Sequence, residues 1–526
     1  MGRVAELAGL SALSLLLALT PGAIEQPPSA AAQSCPWDTS HGWVKRENAK
    51  IGDPGWADGI RMEYSGDYTR QGRDSSVSKW MPNAVGPTPV EGWFDRSSAG
   101  CGESASLHIS GNGKPVTVKV FRMGYYGGAG ARLIESSTIS SVPEYSAPKI
   151  TRPPESTVTT DWPVAWSLKI DAQTPPGQYL IRLDDAGKDS NFVPLTILDP
   201  NIKSEITFVS AVLTWQAYNQ WGGYSLYKGP DSRRATRSTV SSLNRPFDGD
   251  GSGQFRYMQF PILKIAERLG IDMNYITDID LDRGIASLRS TLSILYGGHG
   301  EYWTTKMRAQ LQAAVDRGTN LVVLGGNTGY ARPRLQDDGR QLVMWRASKL
   351  DPNRTNPALA TTSWRAKPIS QPESRLLGAQ YVGLGVDGNY TIPHPQRWPF
   401  TKMTHPDVLK NVVGREVDSP LYTIGPAVET LAESAITFHK RGIRILATYY
   451  TNSAQAGVIN ISTNGWTCVI DDVCPWHPQI DQITQLDTRL ITEEILIGLT
   501  RGPLGAWRPA ITDIPARIRI SKRQRI

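Results

Sequence analysis

The feature that most constrains this chain is a change of pattern after Asn201. From there on, short apolar runs alternate with amphipathic helical stretches. EITFVSAV (205–212) is patterned as a buried strand, and MQFPILKIAERLG (258–270) as a helix closed by Gly270. DMNYIT (272–277) and TLSILYGGHG (291–300) read as the next strands. YWTTKMRAQLQAAVDRG (302–318) reads as a helix ended by Gly318, and NLVVLGGN (320–327) as the strand after it. Strands alternating with helices of this length predict βαβ units and a mostly parallel sheet. Such sheets bind ligands at the carboxyl ends of their strands. Residues 441–464 resume a strand-like pattern, and residues 481–501 read as a closing helix.

The preceding residues follow another rule. SASLHIS (104–110), PVTVKVFRM (115–123), VAWSLKI (164–170), GQYLIRLDD (177–185) and NFVPLTIL (191–198) are short, alternating and separated by Gly, Pro and Ser. That spacing predicts an antiparallel β-sandwich ending near Asp199-Pro200. The expected fold class is therefore all-β plus α/β. A sandwich over 90–200 precedes a parallel α/β domain over 201–508, with an irregular wrapping segment over 33–89 rich in Gly, Pro, Trp and Asp. No repeat of solenoid period is present.

The ends of the chain carry their own signals. Arg3, the apolar run 7–20, the Pro21-Gly22 break and the small residues Ala30-Ala31-Ala32 compose a secretory signal over 1–32. Export places the four cysteines in an oxidising compartment. Cys35 and Cys101 bracket one N-terminal segment, and Cys468 and Cys474 enclose a short loop, so the pairs Cys35–Cys101 and Cys468–Cys474 are expected. The net charge is +7, but the basic tail 509–526 holds much of the excess. Without residues 1–33 and 516–526 the chain has 50 basic and 47 acidic residues. A near-neutral body argues against nucleic acid as a partner. The tail alone is suited to touch an anionic surface.

Two segments can carry chemistry. In Ile294–Trp303 a buried strand runs into Gly297-Gly298-His299-Gly300-Glu301 and then a helix. This has the shape of a nucleophile elbow, but His299 occupies the place of the serine. A serine or cysteine acyl-enzyme of the glutamine-amidotransferase kind is thereby disfavoured. Glu301, expected near a helix N-terminus, is suited to hold a metal. The second segment, TWQAYNQWGGYSLY (214–227), follows the first parallel strand and interleaves aromatics with amides, as a small-molecule or sugar pocket does. Trp215 and Asn219 are its candidate wall residues, and Asn327 after the next strand can line the same cleft. Asp278, Asp280 and Asp282 lack calcium-loop spacing and are expected to form a solvated loop. The remaining histidines show no zincin spacing.

Three stretches resemble the N,N-dimethylformamidase large (beta) subunit family: VKVFRMGYYGGAGARLI (118–134), TWQAYNQWGGYSLY (214–227) and GGHGEYWTTKMRAQLQAAVDRGTNLVVLGGN (297–327). The resemblance spans residues 90 to 505 and implies an immunoglobulin-like β-sandwich followed by a flavodoxin-like, glutamine amidotransferase-type parallel α/β domain. It also implies a mononuclear Fe(III) held by two tyrosines and a glutamate, with a histidine beside it. Carried over by motif, Glu301 and Tyr218 are ligands, Tyr179 is the second tyrosine, and His299 is the histidine that assists catalysis. Phenolate and carboxylate oxygens suit a hard trivalent ion. The implied reaction is hydrolysis of a small amide C–N bond, with a homo-oligomer or a small partner subunit as implied assemblies. Where family members often have His-Asp-Glu, this chain has His299-Gly300-Glu301. The rival expectation is a non-catalytic secreted module that binds glycan or cell wall through its tryptophans.

Overall fold

The computed structural model describes residues 37–60, 62, 90–145, 147–186, 190–346, 348–405, 407–471, 474, 477 and 480–518. The expected signal, Cys35, most of the wrapping segment and the last eight residues of the tail lie outside the described residues. Among the described residues, no helix is long and apolar enough to cross a membrane.

Two sheets of the N-terminal half comprise eight strands among the described residues: β1 (Glu91–Phe94), β2 (Ser98–Ala99), β3 (Ser104–Ser110), β4 (Val116–Met123), β5 (Ala131–Ile139), β6 (Val164–Lys169), β7 (Gly177–Asp185) and β8 (Ser190–Ile197). One sheet has the order β1-β3-β6 and the other β2-β8-β7-β4-β5. Residues of both sheets close one apolar core, with Leu107, Ile109 and Leu168 from the first and Val118, Val120, Tyr179, Ile181 and Val193 from the second. The second sheet is apolar on its other face too. Phe121, Met123, Leu180 and Phe192 join the core of the C-terminal half. Successive side chains on a strand point to opposite faces, so one sheet serves two cores.

The C-terminal half is built on a nine-stranded sheet. Its strands are β9 (Ile206–Ser210), β10 (Met273–Thr277), β11 (Ser293–Gly297), β12 (Asn320–Leu324), β13 (Gln380–Thr391), β14 (Val408–Ser419), β15 (Glu429–Phe438), β16 (Arg441–Thr451) and β17 (Gly457–Asn460). The order is β10-β9-β11-β12-β17-β16-β15-β13-β14. The first five run parallel, and the other four extend the sheet antiparallel. Helices cover the parallel part: α2 (Val212–Tyr218), α3 (Phe260–Arg268), α4 (Thr305–Asp316) and α5 (Gln482–Leu499), with α1 (Trp43–Asn48) against the junction of the halves. Gly270 and Gly318, at φ +70° and +100°, end α3 and α4 as their sequence pattern indicates. The three register shifts between β13 and β14 bend that hairpin. It curls until Val417 of β14 bridges Thr463, just past β17.

Asp278 and Asp280 do not form a solvated loop. They are buried in the helix Asp278–Arg283, where the Asp280 carboxylate accepts from Thr277 and Ser98 and Asp278 accepts from the Leu213 amide. The turn following β10 is a capped helix start, so these acids serve backbone donors.

A buried polar network joins the halves. Arg122 of β4 donates twice to Glu267 of α3, both at 3.0 Å, and both side chains are fully buried. Tyr275 of β10 also donates to Glu267. Asn48 of α1 donates to the same carboxylate, and Tyr126 receives from Arg122 and donates to Glu47 of α1. Gly177 makes room for the arginine: a Cβ there would stand 2.7 Å from Arg122 Nε. Removing one member of a buried, fully hydrogen-bonded pair strands the other charge. Glu267→Gln is expected to lower stability by about 3–5 kcal/mol in urea titration, and Glu267→Asp, which keeps the charge, by less. Burial alone would raise the Glu47 pKa, but Arg122, Lys50 and Arg132 outweigh it and hold it down at about 2. Its contribution is complete above the ordinary value of 4.5 and is lost as pH falls towards 2. Glu47→Gln should therefore flatten the acid limb of a Tm-versus-pH curve.

Candidate active site

The carboxyl ends of the parallel strands deliver the site. β9 leads into α2, whose last residue is Tyr218. The chain then turns through Gly222 and Gly223, both at positive φ, and comes back to Tyr227, whose ring stacks on Tyr218 at 4.1 Å. Asn219 shapes this turn, accepting from the Trp221 and Asp248 amides. Buried Arg245 caps three of its carbonyls, and that burial lowers the Arg245 pKa to about 10.

β11 delivers His299 and Glu301. Its end is forced against neighbouring backbone, because a Cβ on Gly325 would lie 1.5 Å from the Gly298 carbonyl oxygen. One on Gly298 would lie 2.3 Å from that of Met258. Glycine is the residue that permits this crossing. Gly300 also has a local reason: a Cβ there would meet the Tyr296 ring at 2.9 Å. An aspartate in its place requires that ring to move. Glu301 does not cap α4; Thr304 does, accepting from the Met307 amide. The carboxylate is free to point into the site instead.

There the side chains converge. Tyr218 Oη donates to Glu301 Oε2 at 3.0 Å, and Tyr227 Oη donates to the same oxygen. Arg346 approaches Glu301 Oε1 at 3.3 Å, lies 3.6 Å above the Tyr227 ring and donates to Tyr302 Oη. Beside them, His299 Nε2 is 2.9 Å from Glu416 Oε2 and 3.6 Å from Glu301 Oε2. Glu416 comes from β14, brought over the strand ends by the curl of the sheet. Asn327 donates to its Oε1 at 3.2 Å and Asn464 to its Oε2 at 3.1 Å. Asn327 Oδ1 is buried with no partner among the described residues. A cavity of about 120 Å³ opens onto Tyr218, Tyr227, His299 and Glu416.

The charges follow from this packing. Burial raises the pKa of both phenols, and Glu301 raises them further. Burial works against a charged His299, but Glu416 beside it outweighs that and raises the imidazole pKa. For the same reason the Glu416 pKa falls. Burial pushes Asp418, which accepts from the Asn327 amide and Asn460, up to about 7.

Of the residues singled out in the sequence, His299, Glu301, Tyr218 and Asn327 meet here. Tyr179 does not. Its neighbour Leu180 faces the C-terminal core, so strand alternation turns Tyr179 into the sandwich core, where it donates to the Pro175 carbonyl at 2.6 Å. Tyr227 is the second tyrosine at the cluster. Trp215 packs on Phe247 and Phe255 at a different cavity, and Asn219 is consumed by its own loop. Cys468 and Cys474 form a disulfide that packs on Tyr257 and Met258 of the cavity wall. Cys101 is disulfide-bonded, while Cys35 lies outside the described residues. Sequence reading missed Glu416, Arg346 and Tyr302. Tyr227 and Tyr302 stood inside the quoted motifs, whereas nothing local marks Glu416 or Arg346.

Among the described residues, no group of three His, Cys, Asp or Glu can hold a metal, so any donor set here depends on tyrosine. Two buried phenols thus meet one carboxylate oxygen, with a histidine–glutamate pair beside them. The chain belongs to the family described as N,N-dimethylformamidase beta subunit-like, C-terminal, whose family model matches residues 117–480. No curated protein matches it. Among solved structures, a Paenibacillus cycloisomaltooligosaccharide glucanotransferase complexed with cycloisomaltoheptaose aligns over 73% of this chain and 69% of its own. At 7% identity and a TM-score of 0.17 that likeness carries no argument.

Asp418 yields a test of this electrostatic reading. Its folded pKa lies above the unfolded value of 3.8, so ionisation opposes folding as pH rises from there to about 7. Asp418→Asn should remove that decline, giving a flatter Tm across this window than wild type.

Proposed function

We propose that the chain is an exported, metal-dependent hydrolase of small amides, with Tyr218, Tyr227 and Glu301 as the ligands of a ferric ion. The observation that carries this is the convergence of two phenol oxygens on one oxygen of Glu301. Three hard oxygen donors, buried together and held by Arg346 and Tyr302 behind them, fit a trivalent cation. A cation of that charge would also favour the phenolates that burial now disfavours. What such an ion supplies when bound is Lewis acidity towards an amide carbonyl.

The rest is done by the chain's own side chains. Glu416 and His299 share a short contact at the cavity and act as one proton-carrying unit. The pair takes a proton from water as the water oxygen bonds to the carbonyl carbon. It returns that proton to the nitrogen as the C–N bond breaks, and the products are a carboxylic acid and an amine. Asn327 steadies Glu416 through Nδ2.

The strand order β10-β9-β11-β12-β17 is the second-first-third-fourth-fifth order of a flavodoxin-like sheet and supports that reading of the α/β half. The two-sheet core of 90–200 supports the immunoglobulin-like one. The Cys468–Cys474 disulfide supports export to an oxidising compartment. No described tryptophan is exposed, which weighs against a glycan-binding module.

Purified protein should carry stoichiometric iron and show a visible tyrosinate-to-ferric band. Tyr227→Phe and Glu301→Ala should lose the band and the metal, while Tyr179→Phe keeps both. A colourless protein after iron reconstitution, or loss of iron in Tyr179→Phe, refutes the assignment. Glu416→Gln should retain iron and lower kcat on a small amide by roughly 10²–10⁴-fold.

A further inference from the structure

A second cavity, of about 30 Å³, lies between the sandwich and the α/β half and shares no lining residue with the first. Trp93, Gln178 and Leu195 line it from one half, and Val212, Trp215 and Phe247 from the other. Arg96, Arg245 and Arg340 line it as well, and among the described residues no Asp or Glu does.

Arg96 is answered by Asp95 and Glu103. The other two arginines are not answered in kind. Arg245 donates to the carbonyls of Asn219, Trp221 and Tyr224 and to Ser241 Oγ. Arg340 donates to the carbonyls of Phe94 and Leu243 and to Asn244 Oδ1. Every one of these acceptors is neutral. Neutral oxygens use up N–H groups without cancelling the charge, and a buried charge left uncancelled is costly. Burial lowers the pKa of each guanidinium to about 10, although Asp248 works against it at Arg245, and Asp95 and Asp337 at Arg340.

The walls also hold donors without acceptors. Trp93 Nε1, Gln178 Nε2, Trp215 Nε1 and Arg245 Nε are buried and hydrogen-bond to nothing among the described residues. All four side chains are more than nine-tenths buried. Thr196 donates to Gln178 Oε1 at 3.0 Å, which fixes the amide so that Nε2 is the end left over. A water here would spend its hydrogens on acceptors, which these four groups do not offer; an anion needs only donors. A water-sized particle needs about 10–15 Å³, so there is room for a monatomic anion and none for an organic acid.

We propose that this cavity binds a halide ion, chloride in practice, as the counter-charge of Arg245 and Arg340. The same ion secures the tyrosine turn, because Arg245 is the residue that caps the carbonyls of Asn219, Trp221 and Tyr224. The halide site goes beyond the hydrolase reading and stands apart from it, on two arginines and four donors.

Urea unfolding of the full-length protein in sodium chloride and in sodium gluconate, at equal ionic strength, is the first measurement. Chloride should lower the unfolding equilibrium constant saturably, by about tenfold at ten times its dissociation constant. Gluconate, too large for the cavity, should not. Gln178→Glu keeps the shape and the acceptor for Thr196 and brings a carboxylate to the wall; this variant should be indifferent to chloride. Trp93→Phe, which keeps a ring and removes one donor, should weaken chloride binding roughly tenfold. Crystals of the unaltered protein soaked in bromide should show anomalous density in this cavity. Equal stability in the two salts, a chloride effect undiminished in both variants, or a cavity without bromide overturns the proposal.

Discussion

The Arg122–Glu267 pair is the interaction on which the remainder of the molecule turns. It has no access to water, so both charges depend on each other and on Tyr126, Tyr275 and Asn48. The arginine belongs to the sandwich, the glutamate to α3, and the asparagine to the N-terminal helix. One cluster thereby fixes three parts of the chain in register. The other end of α3 begins in the π-turn Phe255–Gln259, where Gln259 donates to the carbonyls of Val209 and Gly297. Tyr257 and Met258 of that turn are cavity wall. The ion pair is remote from the chemistry, yet it anchors the helix whose first turn shapes the pocket.

The site itself is a solution to crowding. Two adjacent strand ends, one stacked tyrosine turn and one returning antiparallel strand must share a small volume. Glycines at 298, 325 and 326 let backbones touch there, with the Glu416 carbonyl oxygen 2.7 Å from the place of a Gly326 Cβ. The same crowding puts two carboxylates, an imidazole and two phenols close together. Each acid is matched by a donor, so the cluster tolerates burial.

Much of this was legible beforehand. The βαβ pattern after Asn201 located β9 to β12 and the helices α3 and α4, and His299 and Glu301 stand just past the end of β11, where their motif put them. Tyr218 came in through the family resemblance, by its motif. Tyr179 was misplaced because a motif match does not say which face of a strand a residue occupies; Leu180 takes the side towards the C-terminal core and Tyr179 the other. Trp215 and Asn219 stand apart from the tyrosine–glutamate cluster for a related reason. Aromatic and amide residues in a loop can as well build the loop as line a pocket, and here Phe247, Phe255 and Pro246 had already claimed them.

What the sequence determined by itself was the succession of local elements and which residues stand at the ends of the parallel strands. Periodicity and glycine placement are local properties, and they act wherever the chain goes. Only the tertiary structure decided that Tyr227 rather than Tyr179 joins Tyr218, and that Glu416 stands beside His299. The first depends on strand parity relative to two competing cores. The second depends on the accumulated bend of a hairpin that carries an edge strand back across the sheet, a displacement that no residue near Glu416 encodes alone.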